Sequence, residues 1–228
     1  MYLTHSMNID QKINAFFAKY PIARYKKGML FIQPGEAIEY IYYVQKGFVR
    51  MFTILPDGKE LTVNIFKPQS YFPLFLVFAH AENSYYFEPL VASQFFKAPR
   101  KEVLLFVKSD PEILAEFTGR MSVGFQGLLE SIPYQFMGSV HNKIAWTVSL
   151  LAKRFGMKSA KGIEISIPLS HQDIANLTGI ARETASVELK KLFREKVISY
   201  TYRHLIIRDR ERLAEIAQID SQTGSDIL

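Results

Sequence analysis

The sequence contains no cysteine and a single tryptophan among its 228 residues. Without cysteine the chain cannot form disulfides, and it cannot hold zinc or an iron–sulfur cluster through thiolates. Its longest apolar run, FPLFLVFA at 72–79, is too short to span a bilayer. The N-terminus also lacks the apolar stretch of a signal peptide. We therefore expect a cytoplasmic protein with no membrane partner, no metal and no bound cofactor.

Positive charge is missing from one long segment. No Arg or Lys lies between Gln69 and Phe96, and seven of the eighteen residues at 70–87 are aromatic. The whole chain, in contrast, has a net charge of +6 and a hydrophobic content of 48%. These values are typical of a globular protein that is compatible with a polyanionic partner. The aromatic segment is either filled core or a pocket for an apolar molecule, and both interpretations stay open.

Turn signals recur about every ten residues in the first half of the chain. Between them lie short runs rich in β-branched and aromatic residues, such as YIYYV and LTVNIF. Short strands at this spacing predict an all-β sandwich or barrel. The turn signals are KKG at 26–28, PGE at 34–36, KG at 46–47, PDG at 56–58 and KPQS at 67–70.

A long helix is predicted after this β region. Ser109 or Asp110 can cap it, and Pro111 suits the first helical position. Apolar or small residues then alternate at spacings of four and three, which indicates a seam against a partner helix or against the chain's own β region. Pro133 is expected to bend or interrupt this helix near its end. The residues of the seam are Phe117, Met121, Gly124 and Leu128.

The stretch at 170–192, SHQDIANLTGIARETASVELKKL, predicts two helices joined by a tight turn. Ser170 and Asp173 have the spacing of a capping box. Ala175 is small, as a close helix crossing requires, and Gly179 supplies a permissive backbone for the turn. A second helix is expected from about Arg182 to about residue 194. This pattern is typical of a helix-turn-helix.

In such a motif the first turns of the second helix enter the major groove of DNA. Arg donates well to guanine and Glu accepts from cytosine, while Lys side chains neutralise phosphates. Residues 140–208 contain twelve Lys or Arg against five Asp or Glu, a net charge of +7. The alternative is a solvated helical pair in a basic domain, and DNA binding is favoured over it. The candidate DNA-binding residues are Ser170, Arg182, Glu183, Thr184, Ser186, Val187, Lys190 and Lys191.

A β region, a long helix and a C-terminal helix-turn-helix, in that order, resemble the cyclic-AMP receptor/FNR family of bacterial transcription regulators. FIQPGEAIEYIYYVQKGFVRMF at 31–52 and the RET triplet at 182–184 carry the likeness. The resemblance implies an α+β chain with a cupin-like β-roll (a double-stranded β-helix or jelly roll) at 1–108. It further implies a long dimerisation helix at 109–138, a winged helix-turn-helix at 139–220 and a tail at 221–228.

The same resemblance implies a homodimer whose seam contains the residues named above. It also implies a palindromic DNA operator read by two recognition helices. RNA polymerase is a further partner if the protein activates transcription. Many family members carry Arg where this chain has Val187, which offers only apolar contact. We therefore expect specificity to rest on Arg182 and Glu183 with help from Ser186.

The sensor region departs from the cyclic-nucleotide binders of this family. They hold the ribose with a Gly-Glu pair and the phosphate with an Arg, and the aligned places here are about Pro73-Leu74 and Ser84-Tyr85. A buried cyclic phosphate without a cation would lose its main charge-assisted hydrogen bonds. We therefore expect a small apolar or aromatic effector instead of cyclic AMP. The candidate pocket residues are Tyr71, Phe72, Phe75, Tyr85, Tyr86, Met121 and Leu128.

Two alternatives remain beside a ligand-responsive regulator. In the first, the aromatic side chains simply fill the roll, and the protein is a constitutive DNA-binding regulator with no ligand. A cupin-type metalloenzyme is the other alternative, but it needs converging histidines. The five histidines are scattered, and no nucleophile elbow, P-loop or Rossmann motif is present, so we do not expect an enzyme.

Overall fold

The computed structural model describes residues 8–136, 138–201 and 204–219. Contacts divide it into two compact units. The first unit comprises the chain up to Thr53 together with Asn64–Leu128, and the second comprises Ile54–Val63 together with the chain from Leu129 onward. Within the described ranges no helix is long and apolar enough to cross a membrane.

The first unit is built from antiparallel strands covered by helices. One sheet has the strand order β1-β7-β2-β5, and a second has the order β4-β3-β6. The strands are β1 (Ile22–Tyr25), β2 (Tyr40–Lys46), β3 (Val49–Ile54), β4 (Glu60–Phe66), β5 (Tyr71–Phe72), β6 (Tyr86–Pro89) and β7 (Ser93–Pro99). The helices are α1 (Ile9–Phe17), α2 (Leu74–Phe78), α3 (Arg100–Ser109) and the first part of α4 (Pro111–Phe136).

Aromatic rings fill the space between these sheets. Phe72, Phe87 and Phe95 are fully buried. The ring of Phe72 stacks on Phe87 at a centroid distance of 5.5 Å and on Tyr42 at 5.6 Å. Because adjacent strand residues point to opposite faces, Phe72 enters this core while Tyr71 faces the helices. Much of the aromatic segment is therefore core of the sheet domain.

Helices α1, α3 and α4 bury the other face of the first sheet. Asp110 Oδ1 accepts a hydrogen bond from the Glu112 amide at 2.9 Å, so Asp110 is the predicted cap of α4. The sequence pattern did not reveal α1, whose buried side chains pack with those of α3 and α4. This cluster includes Ile13, Phe17, Ile41, Val103, Val107, Ile113 and Phe117.

Helix α4 runs from Pro111 to Phe136 without interruption, so Pro133 does not break it, and the helix ends three residues later. Contacts within the chain divide it inside α4, at Leu128. The reason is packing. The C-terminal part of α4 contacts α5 (Val140–Phe155), where Tyr134 stacks on Trp146 at 4.8 Å.

The second unit is a small α/β domain centred on α5. Helices α6 (His171–Thr178), α7 (Arg182–Arg194) and α8 (Arg210–Ile216) surround it. Its sheet has the order β10-β11-β9-β8. Strand β8 was not predicted, because its four residues are all exposed and show no alternation. The strands are β8 (Gly156–Ser159), β9 (Gly162–Ile165), β10 (Ile198–Thr201) and β11 (His204–Ile207).

The hairpin between β3 and β4 belongs by its contacts to the second unit. Its turn is the predicted PDG signal at 56–58. The Gly58 amide donates to the Leu55 carbonyl at 2.9 Å, and the Leu55 amide donates to the Lys59 carbonyl at 2.8 Å. Gly58 has φ +82°, a conformation that glycine adopts without strain. We call residues Ile54–Val63 the acidic hairpin, because Asp57 and Glu60 lie on it.

The predicted order of a β-sheet domain, a long helix and a C-terminal helix-turn-helix is confirmed. The predicted tail at 221–228 lies outside the described residues, as do residues 202 and 203.

Candidate nucleic-acid interface

Helix α6 and its turn form as the sequence predicted. Ser170 is the N-cap: its hydroxyl accepts from the Asp173 amide at 3.2 Å, and its amide donates to Asp173 Oδ2 at 2.7 Å. Gly179 ends the helix in the left-handed conformation, with φ +68°. Ala175 is completely buried where α6 crosses α7. The capping box and the glycine turn are therefore confirmed.

Helix α7 separates its residues into an inward and an outward face. Ala185, Leu189 and Leu192 are buried against the domain. Of the candidate DNA-binding residues on α7, the side chains of Thr184 and Ser186 are half-buried. The others are exposed, namely Arg182, Glu183, Val187, Lys190 and Lys191.

A polar contact and a ring contact lie at the base of this outward face. His171 Nδ1 lies 3.0 Å from Ser186 Oγ, which links the first residue of α6 to α7. Burial, with Lys190 and Arg182 nearby, lowers the pKa of His171. The ring of Tyr200 on β10 is 6.1 Å from that of His171, and burial raises the pKa of Tyr200 to about 12. His171 is thus favoured as a neutral imidazole that fixes the position of the Ser186 hydroxyl.

A buried carboxylate joins α7 to α5. Glu188 is only 8% exposed, and its Oε2 lies 2.8 Å from His141 Nδ1 near the start of α5. Its Oε1 accepts from Lys191 Nζ at 2.7 Å. Burial opposes ionisation of Glu188, but the hydrogen bonds from Lys191 and His141 outweigh it, so the pKa of Glu188 is lowered. The ionised form therefore holds α7 against α5.

Glu188 and its partner His141 are not among the residues predicted from the sequence. A signal was present: Glu188 lies at helical spacing from Ala185 and Leu192, within the apolar stripe of α7. A carboxylate in that stripe is expected to have a buried partner. The sequence did not reveal which residue would supply it, because His141 is 47 positions away.

The candidate effector residues do not all converge. Tyr71 stacks on Phe117 at a centroid distance of 4.0 Å, and Phe75 lies 6.2 Å from Tyr85. Phe72 belongs to the aromatic core described above, and Tyr86 stacks on Phe52 at 5.1 Å. Met121 and Leu128 are exposed on α4. The structure thus brings together Tyr71 with α4 and Phe75 with Tyr85, and it directs Phe72 and Tyr86 elsewhere.

The candidate dimer seam is also divided by the structure. Phe117 is 1% exposed and packs on Tyr71, so its side chain is used within its own unit. Met121, Gly124 and Leu128 are exposed. Further exposed apolar side chains extend the same face of α4 at four- and three-residue spacing, namely Phe125, Ile132 and Phe136.

Two models of known protein families match this chain, one in its β-sheet domain and one in its C-terminal domain. A model of the cyclic nucleotide-binding domain matches residues 22–110, and a model of the Crp-like helix-turn-helix domain matches residues 143–216. A global nitrogen regulator of Nostoc sp. is 27% identical over 73% of this chain and 75% of its own length. The cAMP-activated global transcriptional regulator CRP of Salmonella typhimurium is 26% identical over 83% of this chain and 90% of its own.

The chain belongs to the Crp/Fnr family of transcription regulators.

Solved Crp/Fnr structures have the same fold. FixK2 from Bradyrhizobium japonicum superimposes with a TM-score of 0.74 at 18% identity, covering 86% of this chain and 96% of its own. A CRP-family transcriptional regulator from Thermus thermophilus gives a TM-score of 0.69 at 22% identity, covering 86% of this chain and 96% of its own. The protein is a DNA-binding transcription regulator of the Crp/Fnr type, and α6 and α7 are its helix-turn-helix.

Exchanging Glu188 for Gln tests the buried contact of α7. The variant keeps the shape but loses the charge, so we expect the free energy of unfolding at pH 7 to fall by about 1–2 kcal/mol. Because the folded-state pKa is lowered, this loss is full above the ordinary value of 4.5. It disappears as pH falls through the lowered pKa. Urea unfolding at a series of pH values measures the difference.

The matched control is Glu195→Gln, which removes an exposed carboxylate at the end of the same helix. We expect it to change stability by less than about 0.5 kcal/mol. Equal losses in the two variants would contradict a special role for Glu188.

Proposed function

We propose that this regulator is a homodimer that reads a palindromic operator through α7 and responds to a small apolar or aromatic effector instead of cyclic AMP. It acts in the cytoplasm and contacts RNA polymerase if it activates transcription. The observation that carries the DNA-reading part is the exposed face of α7, where Arg182, Glu183, Val187 and Lys190 project from a helix whose inward face is fixed by Glu188.

The exposed face assigns different tasks to its residues. Arg182 and Glu183 lie in the first turn of α7, the part of a recognition helix that contacts base edges. Arg182 donates to guanine and Glu183 accepts from cytosine, while Val187 offers only apolar contact to a thymine methyl. Ser186 helps Arg182 and Glu183 to set specificity, while Ser170, Thr184 and the lysines contact phosphates. Lys191 shares its charge with Glu188, so Lys190 carries the larger phosphate contribution.

A second copy of the chain is proposed to cover the apolar face of α4. Met121, Phe125, Leu128 and Ile132 repeat at spacings of four, three and four residues, which is the pattern of a two-helix seam. Gly124 beside this stripe permits close approach of the partner helix. Exposed apolar side chains in such a continuous stripe are unfavourable in water and mark an interaction surface.

Electrostatics argue against cyclic AMP as the effector. The Salmonella relative is named as cAMP-activated, but a cyclic phosphate needs a cationic partner when it is buried. The segment from Gln69 to Phe96 has no Arg or Lys. The buried guanidinium of Arg50 on β3 donates from Nε to Glu88 Oε1 at 2.7 Å, so its charge is already balanced by a carboxylate.

Tyr71 supports an uncharged effector with a hydrogen-bonding atom. Its hydroxyl is buried and has no hydrogen-bond partner among the described residues. Burial raises the pKa of Tyr71, with Arg120 opposing the shift, so the hydroxyl remains protonated and available as a donor. A buried hydroxyl without a partner is costly, and an effector that accepts a hydrogen bond would relieve that cost.

The constitutive regulator without a ligand remains the second candidate. It is supported by the packing of two candidate pocket residues on other rings of the protein. Phe72 stacks on Phe87 and Tyr42, and Tyr86 stacks on Phe52, so neither ring needs a ligand to be packed. The two candidates differ only in the sensor domain, and both require the α7 surface to read DNA.

The DNA-reading assignment predicts two different kinds of variant. A duplex selected by the protein from a random pool serves as the operator. Arg182→Ala should cost about 1–3 kcal/mol of binding free energy and relax the base preference at one position of each half-site. Lys190→Ala should weaken binding to all sequences and reduce the salt slope by about 0.9 for each protomer. Repeating the selection and titrating salt with each variant separates the two effects, and identical behaviour would contradict the assignment.

The dimer proposal predicts that Phe125→Glu places two repelling carboxylates in the seam and yields a monomer. Light scattering during size-exclusion chromatography measures the mass. Val123→Glu is the matched control, because Val123 is also exposed but lies on the opposite side of α4. A dimer that survives Phe125→Glu, or is lost equally with Val123→Glu, would show that this face is not the seam.

The effector proposal predicts a specific behaviour of Tyr71→Phe. Removing a hydroxyl without a partner should leave the stability of the ligand-free protein within about 0.5 kcal/mol, or increase it. Tyr43→Phe is the matched control: its hydroxyl donates to Asn14 Oδ1 at 2.8 Å, and its loss should cost about 1 kcal/mol.

Thermal unfolding with apolar and aromatic compounds then tests the ligand itself. At least one should stabilise the protein, and Tyr71→Phe should weaken its binding by roughly 2- to 10-fold. Stabilisation by cyclic AMP would overturn this proposal, and failure of every compound would favour the constitutive regulator.

A further inference from the structure

The acidic hairpin contacts the first helix of the helix-turn-helix. Glu60 Oε2 accepts a hydrogen bond from Asn176 Nδ2 on α6 at 2.9 Å. The side chain of Leu61 reaches to 3.5 Å from the point where a Cβ on Gly179 would lie. Asn176 is consequently only 6% exposed. The hairpin therefore covers the C-terminal end of α6 and the turn that leads to α7.

Asn176 is held ready to donate to an anionic oxygen. Its Oδ1 accepts from Gln172 Nε2, one turn earlier on α6, at 2.7 Å. This contact orients the amide so that Nδ2 points away from Gln172 and towards Glu60. Side-chain amides in this orientation are common donors to the phosphate oxygens of DNA. The carboxylate of Glu60 and a phosphate are thus chemically equivalent partners for Asn176.

The acidic hairpin lies where the DNA backbone is expected to pass. Gly179 lies two residues before Ala181, the N-cap of α7. Because the first turns of α7 enter the major groove, the DNA backbone passes next to the turn before it. The hairpin also brings the carboxylate of Glu60 to this place, and negative charge there repels phosphates.

We propose that the surface formed by Asn176 and Gly179 binds two competing anionic partners, the acidic hairpin of this chain and the phosphate backbone of the operator, with the Glu60 carboxylate occupying the place of a phosphate. This inference rests on the DNA-binding function. The hairpin lowers DNA affinity by the fraction of molecules in which it covers α6. Because it is continuous with β3 and β4, changes in those strands alter that fraction.

Glu60→Ala is the direct test, and the probe is the duplex that the full-length protein selects from a random pool. Removing the competing carboxylate should tighten binding by roughly 3- to 10-fold, the range expected for one charge-assisted hydrogen bond. Asp57→Asn is the matched control: Asp57 is exposed on the same hairpin and pairs with Lys59, with no hydrogen bond to α6. It should change affinity by less than about 2-fold.

Unchanged or weaker binding by Glu60→Ala would overturn the proposal. An equal gain in Asp57→Asn would also overturn it, because the effect would then be general charge repulsion. A double-mutant cycle adds a readout that simple destabilisation does not affect. In an Asn176→Ala background, Glu60→Ala should bring no further gain in affinity, since the shared donor is absent. A full gain in that background would contradict the competition.

The absence of cysteine permits a second test with the intact chain. A variant with Glu60→Cys and Asn176→Cys can be joined by a short bifunctional thiol reagent. The joined protein should lose DNA binding, while the same protein without the reagent should bind. Normal binding by the joined protein would refute the proposal. If the protein selects no duplex at all, the DNA-binding function fails; if it does and Glu60→Ala binds no more tightly, only the competition fails.

Discussion

The orientation of the recognition helix depends on one buried carboxylate. Glu188 contacts His141 at the start of α5 and Lys191 one turn along α7. The hydrogen bond between Glu188 and His141 is directional, so together with the buried side chains of α7 it fixes the rotation of this helix against α5. The bond from Lys191 lies within α7 and keeps Glu188 ionised. That rotation decides which residues face outward. The exposure of Arg182, Glu183 and Val187 follows from an interaction on the opposite side of the helix.

The sheet domain is stabilised mainly by packing of aromatic rings and not by charged contacts. Phe72, Phe87 and Phe95 form a dry core, and the buried cation nearby, Arg50, is balanced by Glu88. Burying a charge in such an interior is costly unless it is paired, as Arg50 is. The architecture of a cyclic nucleotide-binding domain is retained here around an aromatic core. Tyr71, at the boundary with α4, is the place where core and candidate pocket meet.

Local signals predicted the helix-turn-helix well and the long-range contacts poorly. The capping box at Ser170 and the glycine at 179 act over a few residues, so the bounds of α6 and α7 were readable from the sequence. The partner of Glu188 and the contact of Glu60 with Asn176 join positions far apart in the chain, and no periodicity encodes them. Strand β8 and helix α1 were missed because their stability comes from pairing and packing.

The ion pair between Arg50 and Glu88 has a mechanical consequence. These two residues are directly opposite each other where β3 pairs with β6. Shifting β3 by one residue would turn the guanidinium of Arg50 to the other face of the sheet and separate it from the carboxylate of Glu88. The strand that leads into the acidic hairpin is therefore locked in register. The register of β3 therefore fixes the place along β6 at which the strand ends at Ile54, the residue where the acidic hairpin begins.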